Sequence, residues 1–266
     1  MAHISALLSV MIKAARLAAK SLRRDYFESD ALTISRKGAS DFVSQADLRA
    51  EEIIREALAT ARPKYGMLLE EAGEIEGSDK SNRWIIDPLD GTTNFLHGIP
   101  VFAISIGLER DRAPYAGVIY NPITDEMFYA EKGQGAYLNE KRIRVSRRGD
   151  MNEALLATGL PYQGRGSDAG RALALAETGR VLAASAGVRR FGSAAIDLAM
   201  VAQGRIDGFW ERGLSPWDVT AGCVLVREAG GMVSEITELG RPHLADSILA
   251  TNGELHERAR KLILGK

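Results

Sequence analysis

Apolar residues near the N-terminus recur at steps of three and four, which is the spacing of an amphipathic helix. The positions in this stripe are Ile4, Leu7, Leu8, Met11, Ala15, Ala18 and Leu22. A second helix is indicated where Ser44 and Asp47 form a capping pair ahead of further apolar positions at helical spacing. Pro63 should end that helix, because proline cannot continue a helical ladder. The chain therefore opens with two predicted helices.

From about residue 67 to residue 145 the pattern changes to short apolar runs separated by Gly, Pro, Asn and Asp. The runs are Trp84–Ile86, Phe102–Leu108, Tyr115–Tyr120, Met127–Ala130 and Ala136–Leu138. Such spacing is typical of a sheet in which most neighbouring strands follow one another through turns.

Beyond about residue 149, helical and strand patterns alternate. Helices are predicted over Asp168–Ala186, Ser193–Gln203, Pro216–Ala229 and Glu254–Leu264. Strands are predicted over Ile206–Trp210 and Met232–Ile236. Helices, then a sheet, then alternating elements predict a layered α/β sandwich. We expect residues 1–266 to form a single domain, with an N-terminal half (1–148) and a C-terminal half (149–266) that share a large interface.

The composition and charge of the chain argue against several classes of protein. The chain has 266 residues, of which 45% are hydrophobic and 26% charged, and these are ordinary globular values. Its formal net charge of −1 gives no sign of a general affinity for nucleic acid. The single cysteine, Cys223, excludes an intrachain disulfide and favours a reducing cytoplasm. No apolar run approaches the roughly 18 residues of a membrane-spanning helix, so no membrane partner is expected.

Candidate chemistry is concentrated in Trp84–Phe95. An apolar strand should deliver Asp87 at its end, Pro88 should break the strand ladder, and Asp90 follows three residues later. Two carboxylates on one tight turn, together with the carbonyl of Leu89, are suited to a hard divalent cation. The alternative is an Asp-Gly turn at the surface.

Two further carboxylates occupy comparable places. Glu70 directly follows the apolar stretch Met67–Leu69, so it and Asp87 would end neighbouring strands at one crevice. Asp218 follows Pro216 in the first turn of a predicted helix. Taken alone, Asp218 would be a structural acid at a helix start. A role in metal binding requires that it lie close to the other carboxylates in the fold.

Together these motifs resemble those of the inositol monophosphatase family of Mg²⁺-dependent, lithium-sensitive phosphatases, and they are similar to its bacterial members. The matching segments are Glu70-Glu71, Trp84–Phe95, Gly192–Ala195 and Trp217–Gly222. The resemblance implies the αβαβα sandwich that this family shares with the fructose-1,6-bisphosphatases. It also implies that the N-terminal half carries most metal ligands, and that the C-terminal half carries Asp218 and substrate contacts.

The resemblance implies two to three Mg²⁺ ions per active site. Their ligands would be Glu70, Asp87, the carbonyl of Leu89, Asp90 and Asp218. Carboxylate ligation without a His or Cys cluster independently favours Mg²⁺ over zinc.

Roles in catalysis follow from the same resemblance. Thr92, hydrogen-bonded to Asp47, would activate a water molecule beside Glu70. Asp47 has a competing role as a helix-capping acid. The loop Lys37–Asp41 looks like the family's mobile flap near the third metal.

The resemblance implies contacts to the phosphate group of the substrate and to its alcohol part. Backbone groups of Gly91 and Thr92 could hold the phosphate if a helix begins there. Asp90, Ser193 and Glu211 match family positions that contact the ring hydroxyls of the substrate. Glu211 could equally be a surface acid at the end of its strand.

The implied reaction is hydrolysis of inositol 1-phosphate to myo-inositol and phosphate by a metal-activated water molecule. Within the same fold, a histidinol phosphatase or another sugar or nucleotide phosphatase is the alternative. An alternative of a different class is a transcription antitermination partner that binds RNA or RNA polymerase-associated factors. Its local support is Lys141–Arg148, where five of eight residues are basic, although an exposed edge strand with charged outward residues explains that segment better. Family members are commonly homodimers.

Overall fold

The computed structural model describes residues 4–27, 34–36, 42–161, 166–237 and 240–266. The α-helices in these ranges are α1 (Ala6–Phe27), α2 (Gln45–Ala61), α3 (Thr92–Leu96), α4 (Asp168–Leu182), α5 (Ala194–Ala202), α6 (Pro216–Glu228) and α7 (His256–Leu264). The helices predicted from periodicity are confirmed, with ends that differ by a few residues. None of the helices in the described ranges has the length and apolar character needed to cross a membrane.

Two antiparallel strands, β1 (Ile34–Arg36) and β2 (Phe42–Ser44), precede the main sheets. The large sheet consists of β3 (Tyr65–Leu69), β4 (Gly73–Ile75), β5 (Asp79–Asp90), β6 (Ala103–Arg110), β7 (Ala113–Asn121), β8 (Glu126–Glu131), β9 (Gly135–Leu138) and β10 (Lys141–Ile143). Its strand order is β10-β9-β8-β7-β6-β5-β3-β4. Pairing is antiparallel except between β3 and β5, which run parallel. The predicted sheet of mostly consecutive strands is confirmed.

The smaller sheet consists of β11 (Leu155–Thr158), β12 (Gly187–Arg189), β13 (Gly208–Arg212), β14 (Met232–Ser234) and β15 (Ser247–Thr251). Its strand order is β12-β11-β13-β15-β14. The β11 strand runs parallel to both of its neighbours, whereas β15 runs antiparallel to both of its own.

Side-chain alternation along the strands of the large sheet builds two cores. Val118 on β7 packs into the core shared with α1 and α2, whereas its neighbour Ile119 packs into the core shared with α5 and α6. A third core lies between the smaller sheet and the pair α4 and α7, around Trp210 and Ile263. The layers are therefore α, β, α, β, α, and the fold class that the resemblance implied is confirmed.

Helix α6 lies very close to the large sheet because glycines face it. A Cβ atom added at Gly117 on β7 would lie 2.5 Å from the carbonyl oxygen of Ala221. One added at Gly107 on β6 would lie 2.7 Å from the Thr220 side chain. Only glycine allows this approach, and it holds the start of α6 against the middle of the large sheet.

The β5 strand differs from its predicted form. Pro88 was expected to end the strand at Asp87, and that expectation is wrong. Asp87 pairs with Ser105 and Asp90 pairs with Ala103, with a register shift between them. Two residues of β5 therefore oppose one of β6, which is a β-bulge. The bulge accommodates a proline that has no N–H to donate, and β5 continues to Asp90.

Candidate active site

Parallel pairing of β3 and β5 brings their carboxyl ends to the same edge of the large sheet. Glu70 follows the last residue of β3, and its N–H donates to the carbonyl of Ile86 on β5 (3.2 Å). The next residue on β5 is Asp87. The two strand ends that the apolar runs predicted as neighbours are therefore adjacent.

The turn after β5 is shaped by its own hydrogen bonds. Leu89 donates its N–H to Oδ1 of Asp87 (2.9 Å), and the hydroxyl of Thr92 donates to the carbonyl oxygen of Leu89 (3.1 Å). Gly91 has φ of 97°, in the left-handed region that side chains disfavour, and it begins α3. A Cβ there would also lie 3.0 Å from the Val101 carbonyl oxygen. This local geometry fixes the separation of Asp87 and Asp90.

Asp218 reaches the same edge from α6. Ser215 caps this helix, and Pro216 occupies its first turn. The carboxylate of Asp218 accepts the N–H of Ser215 through Oδ2 (2.6 Å), which completes a capping box. Asp218 is therefore held by local helix-start geometry, and the packing of α6 on the sheet sets its position.

Carboxylate oxygens of Asp87, Asp90 and Asp218 all lie within 4.8 Å of one another. Asp87 is only 2% exposed. Burial raises the pKa of Asp87 well above its ordinary value, and the charges of Glu70, Asp90 and Asp218 raise it further, as does a hydrogen bond with Glu70. Acids held this close without a counter-charge repel one another. The donor set therefore fits a hard divalent cation, which would offset that repulsion.

Asp90 connects this cluster to α5. Ser193 caps α5, and its hydroxyl donates to Oδ2 of Asp90 (2.6 Å). The N–H of Ala195 donates to the same oxygen (2.6 Å). Two short hydrogen bonds to one carboxylate oxygen are charge-assisted and fix its direction. Of the acids and hydroxyls that the sequence indicated, Asp90 and Ser193 are therefore in direct contact.

Glu211 lies on β13, and its carboxylate sits against the backbone of Gly159. A Cβ at Gly159 would be 2.0 Å from that carboxylate, and the side chain is half-buried. Burial raises the pKa of Asp197 on α5 well above its ordinary value, and the charges of Glu211 and Asp90 contribute. Glu211 and Asp197 therefore lie near Asp90, at one side of the carboxylate cluster.

Asp47 occupies the first turn of α2 and is buried. The loop Lys37–Asp41, which the resemblance likened to a flap, lies outside the described residues.

Sequence reasoning missed three buried polar residues near this edge: Glu51, Asn94 and Asp197. The side-chain amide of Asn94 donates to the carbonyls of Val101 (2.7 Å) and Phe191 (2.8 Å), which ties α3 to the segment before Ser193. Glu51 carries one sequence signal, since it follows Asp47 by four residues and so shares its helix face. Asp197 carries none, because an acid in a helix is ordinarily exposed.

Similarity to known proteins extends over nearly the whole chain. The model of the inositol monophosphatase family matches residues 3–264. The chain belongs to this family. The expected membership in a family of metal-dependent phosphatases is thereby confirmed.

Individual relatives agree with the family match. An inositol-1-monophosphatase of Rhizobium meliloti is 51% identical over 97% of this chain and 96% of its own length. The Nus factor SuhB of Escherichia coli K12 is 42% identical over 92% of this chain and 91% of its own length. Among solved structures, the extragenic suppressor protein suhB of Bartonella henselae is 50% identical with a TM-score of 0.93, covering 97% of this chain and 98% of that one. An inositol monophosphatase from Anabaena is 36% identical with a TM-score of 0.82, covering 97% of this chain and 95% of that one.

Proposed function

We propose that this protein is a Mg²⁺-dependent phosphatase that hydrolyses inositol 1-phosphate to myo-inositol and phosphate. The observation that carries the proposal is the meeting of Asp87, Asp90 and Asp218, from two distant parts of the chain, within 4.8 Å. Names of relatives such as the Rhizobium meliloti inositol-1-monophosphatase support the substrate class.

Metal ligation is assigned to Glu70, Asp87, the carbonyl of Leu89, Asp90 and Asp218. We propose two to three Mg²⁺ ions at this set, because hard carboxylate and carbonyl oxygens are the ligands that Mg²⁺ prefers. Bound divalent ions supply positive charge to the phosphate oxygens and a water molecule of lowered pKa. Ligands from both halves are needed at one site, so we propose that residues 1–266 act as a single domain.

The chain's own groups hold the nucleophile and the phosphate. We assign orientation of the attacking water molecule to Glu70 and Thr92, and a supporting role to Asp47, which is buried in the first turn of α2. The N–H groups of Gly91 and Thr92, at the start of α3, are assigned to the phosphate oxygens, because the first N–H groups of a helix have no partner within the helix. Fixed donors and carboxylates of this kind lower the barrier because they need no reorganisation during the reaction.

Recognition of the inositol ring is assigned to Asp90, Ser193 and Glu211. Carboxylates accept two hydrogen bonds readily, so they suit neighbouring hydroxyls on a ring. The Ser193 hydroxyl donates to Asp90 (2.6 Å), and this contact supports a shared role for the two residues. Glu211 is half-buried beside Gly159, and the alternative of a fully exposed acid is therefore less favoured.

Three further properties belong to the proposal. We propose a homodimer and inhibition by lithium, both because such behaviour is common in this family. We propose a cytoplasmic location because the only cysteine, Cys223, is buried as a free thiol.

Neutralising one ligand tests the site. Asp90→Asn and Asp218→Asn should each reduce Mg²⁺-dependent phosphate release by about 100-fold or more, because each removes charge stabilisation from the site, while the circular dichroism spectrum stays that of the parent. Glu228→Gln is the control, because it neutralises a carboxylate that binds the amides of Gly133 and Gly135, away from the clustered acids. Release near the parent rate in both ligand variants would refute the proposed site, as would parent activity that is unchanged after chelation of divalent ions.

The substrate is tested by ranking kcat/KM over a panel. Inositol 1-phosphate should rank first, above histidinol phosphate, fructose 1,6-bisphosphate and 3′-phosphoadenosine 5′-phosphate. A preference for histidinol phosphate would replace the inositol assignment with the alternative of the same fold and leave the metal site intact.

A second candidate function is a role in transcription antitermination. It is favoured by the 42% identity to a relative named Nus factor SuhB. Lys141 and Arg142 are exposed on the edge strand β10 while Ile143 is buried, which is also the pattern of an ordinary protected edge. Retention of RNA or of a transcription factor that is sensitive to salt and survives Asp90→Asn would support this role.

A further inference from the structure

Glu51 on α2 is a buried carboxylate, 5% exposed, that binds two successive backbone amides. Its Oε2 accepts the N–H of Glu71 (2.9 Å), and its Oε1 accepts the N–H of Ala72 (2.9 Å). Each oxygen therefore has its own donor. Charge-assisted hydrogen bonds of this kind are roughly twice as strong as neutral ones, and a matched pair also fixes direction.

The two amides belong to the turn that begins at Glu70. This turn joins β3 to β4, and Leu69 pairs with Gly73 across it. On its other side the N–H of Glu70 donates to the carbonyl of Ile86 (3.2 Å). The backbone around Glu70 is thus held by β5 at one end and by Glu51 at the other. A turn fixed at both ends allows few directions for the side chain that it carries.

The side chain so directed reaches the carboxylate cluster. Glu70 shares a hydrogen bond with Asp87, which is one of the three clustered acids. A change of a few tenths of an ångström in the turn would move the Glu70 carboxylate relative to Asp87. Residues behind metal ligands commonly set affinity in this way, because they hold the ligand in its binding direction.

We propose that Glu51 is a positioning residue, which holds the amides of Glu71 and Ala72 so that the carboxylate of Glu70 is directed at the divalent cation site. This rests on the proposed function in one respect, since Glu70 is assigned there as a metal ligand. Glu51 itself touches neither the cation nor the substrate in this role. It acts entirely through the turn.

The chain provides a matched control for this arrangement. Glu228, at the end of α6, accepts the N–H of Gly133 through Oε1 (2.8 Å) and that of Gly135 through Oε2 (2.8 Å). This is the same chemical contact, a carboxylate that accepts one backbone N–H group through each oxygen. It lies at the turn between β8 and β9, which the strand register places at the opposite end of the large sheet from Asp87.

Glu51→Gln and Glu228→Gln test the proposal together. Glutamine can accept one of the two N–H groups, but its NH₂ group then faces the other, so each variant loses half of its contact. Binding of Mn²⁺ alone, used as a paramagnetic probe, is measured by electron paramagnetic resonance without substrate. Glu51→Gln should raise the Mn²⁺ dissociation constant about tenfold, and Glu228→Gln should leave it at the parent value. The Mg²⁺ concentration for half-maximal phosphate release should rise in Glu51→Gln alone.

Equal Mn²⁺ affinity in Glu51→Gln and the parent overturns the positioning role, and Glu51 is then a structural link between α2 and the turn. Loss of thermal stability without loss of affinity also overturns it. If Glu51→Gln does not fold, Mn²⁺ binding is measured in Glu51→Asp, which keeps the charge but is too short to hold both amides. An Mn²⁺ affinity equal to that of the parent in Glu51→Asp also overturns the positioning role. If the parent protein does not bind Mn²⁺, the proposed metal-dependent function is wrong instead.

Discussion

Asn94→Asp should destabilise the protein, although aspartate has almost the same shape as asparagine. The amide of Asn94 is buried, 6% exposed, and donates to two carbonyl oxygens at 2.7 and 2.8 Å. Asn94→Asp replaces both donors with an oxygen that faces those carbonyls. Two lost hydrogen bonds at about 1 kcal/mol each, and about 1 kcal/mol for leaving the carbonyls unpaired, sum to about 3 kcal/mol.

This loss should be visible as a change in melting temperature. An unfolding entropy of about 2.1 cal/mol/K per residue gives about 0.56 kcal/mol/K for 266 residues, so Tm should fall by about 5 °C. Protonation restores one donor to the new side chain. The difference from the parent should therefore be smaller near pH 4 than at pH 7. Both values can be read from circular dichroism melts in buffers that contain EDTA.

Asn121→Asp is the matched control. Asn121 is also buried, 4% exposed, but its Oδ1 accepts the N–H groups of Ile123 (2.9 Å) and Thr124 (3.2 Å). Aspartate preserves both of these contacts and loses only the donation to the exposed Pro100 (3.1 Å), which predicts a loss of about 1 kcal/mol or less. Equal melting temperatures for the two variants would refute this prediction. It depends on the Asn94 side chain donating hydrogen bonds to the backbone while the Asn121 side chain mainly accepts them.

Two further predictions follow from packing and from charge. Gly117→Ala should lower the free energy of unfolding in urea by about 1–3 kcal/mol, because its Cβ would lie 2.5 Å from the carbonyl oxygen of Ala221. Gly149→Ala is the control: nothing lies within 4 Å of its added Cβ, so the free energy of unfolding should change by less than about 0.5 kcal/mol. Equal losses of stability in the two variants would contradict the close approach of α6 to Gly117. Burial, aided by the charge of Glu211, raises the pKa of Asp197 above its ordinary value of 3.8, so the protein loses stability through this acid as pH rises from about 4. Asp197→Asn should therefore melt higher than the parent at pH 7 in EDTA and at the same temperature near pH 4; an equal Tm at pH 7 would contradict this.

Local patterns predicted much of the architecture. The helix expected over Ser193–Gln203 is α5, with Ser193 as its cap, and the strand expected at Met127–Ala130 is the centre of β8. These elements depend on periodicity and on hydrogen bonds between near neighbours, both of which are written in short stretches of chain.

The bulge in β5 shows where local reasoning was insufficient. Pro88 removes one ladder donor, and from the sequence this favours the end of a strand. The structure continues the strand because β6 offers Ala103 as a partner for Asp90. Whether a proline ends a strand or is accommodated in a bulge depends on that partner, which lies far along the chain.

For the site, the types of donor and their local settings could be predicted from short stretches of chain: Glu70 after a strand, Asp87 and Asp90 around a turn, and Asp218 at a helix start. Which of these acids meet depends on how the layers pack. The position of Asp218 depends on the close packing of α6 against Gly107 and Gly117, and the support of the Glu70 turn depends on a carboxylate from another helix. Interactions along the chain extend over only a few residues, whereas contacts between layers arise when distant surfaces pack, and no short stretch of sequence encodes them.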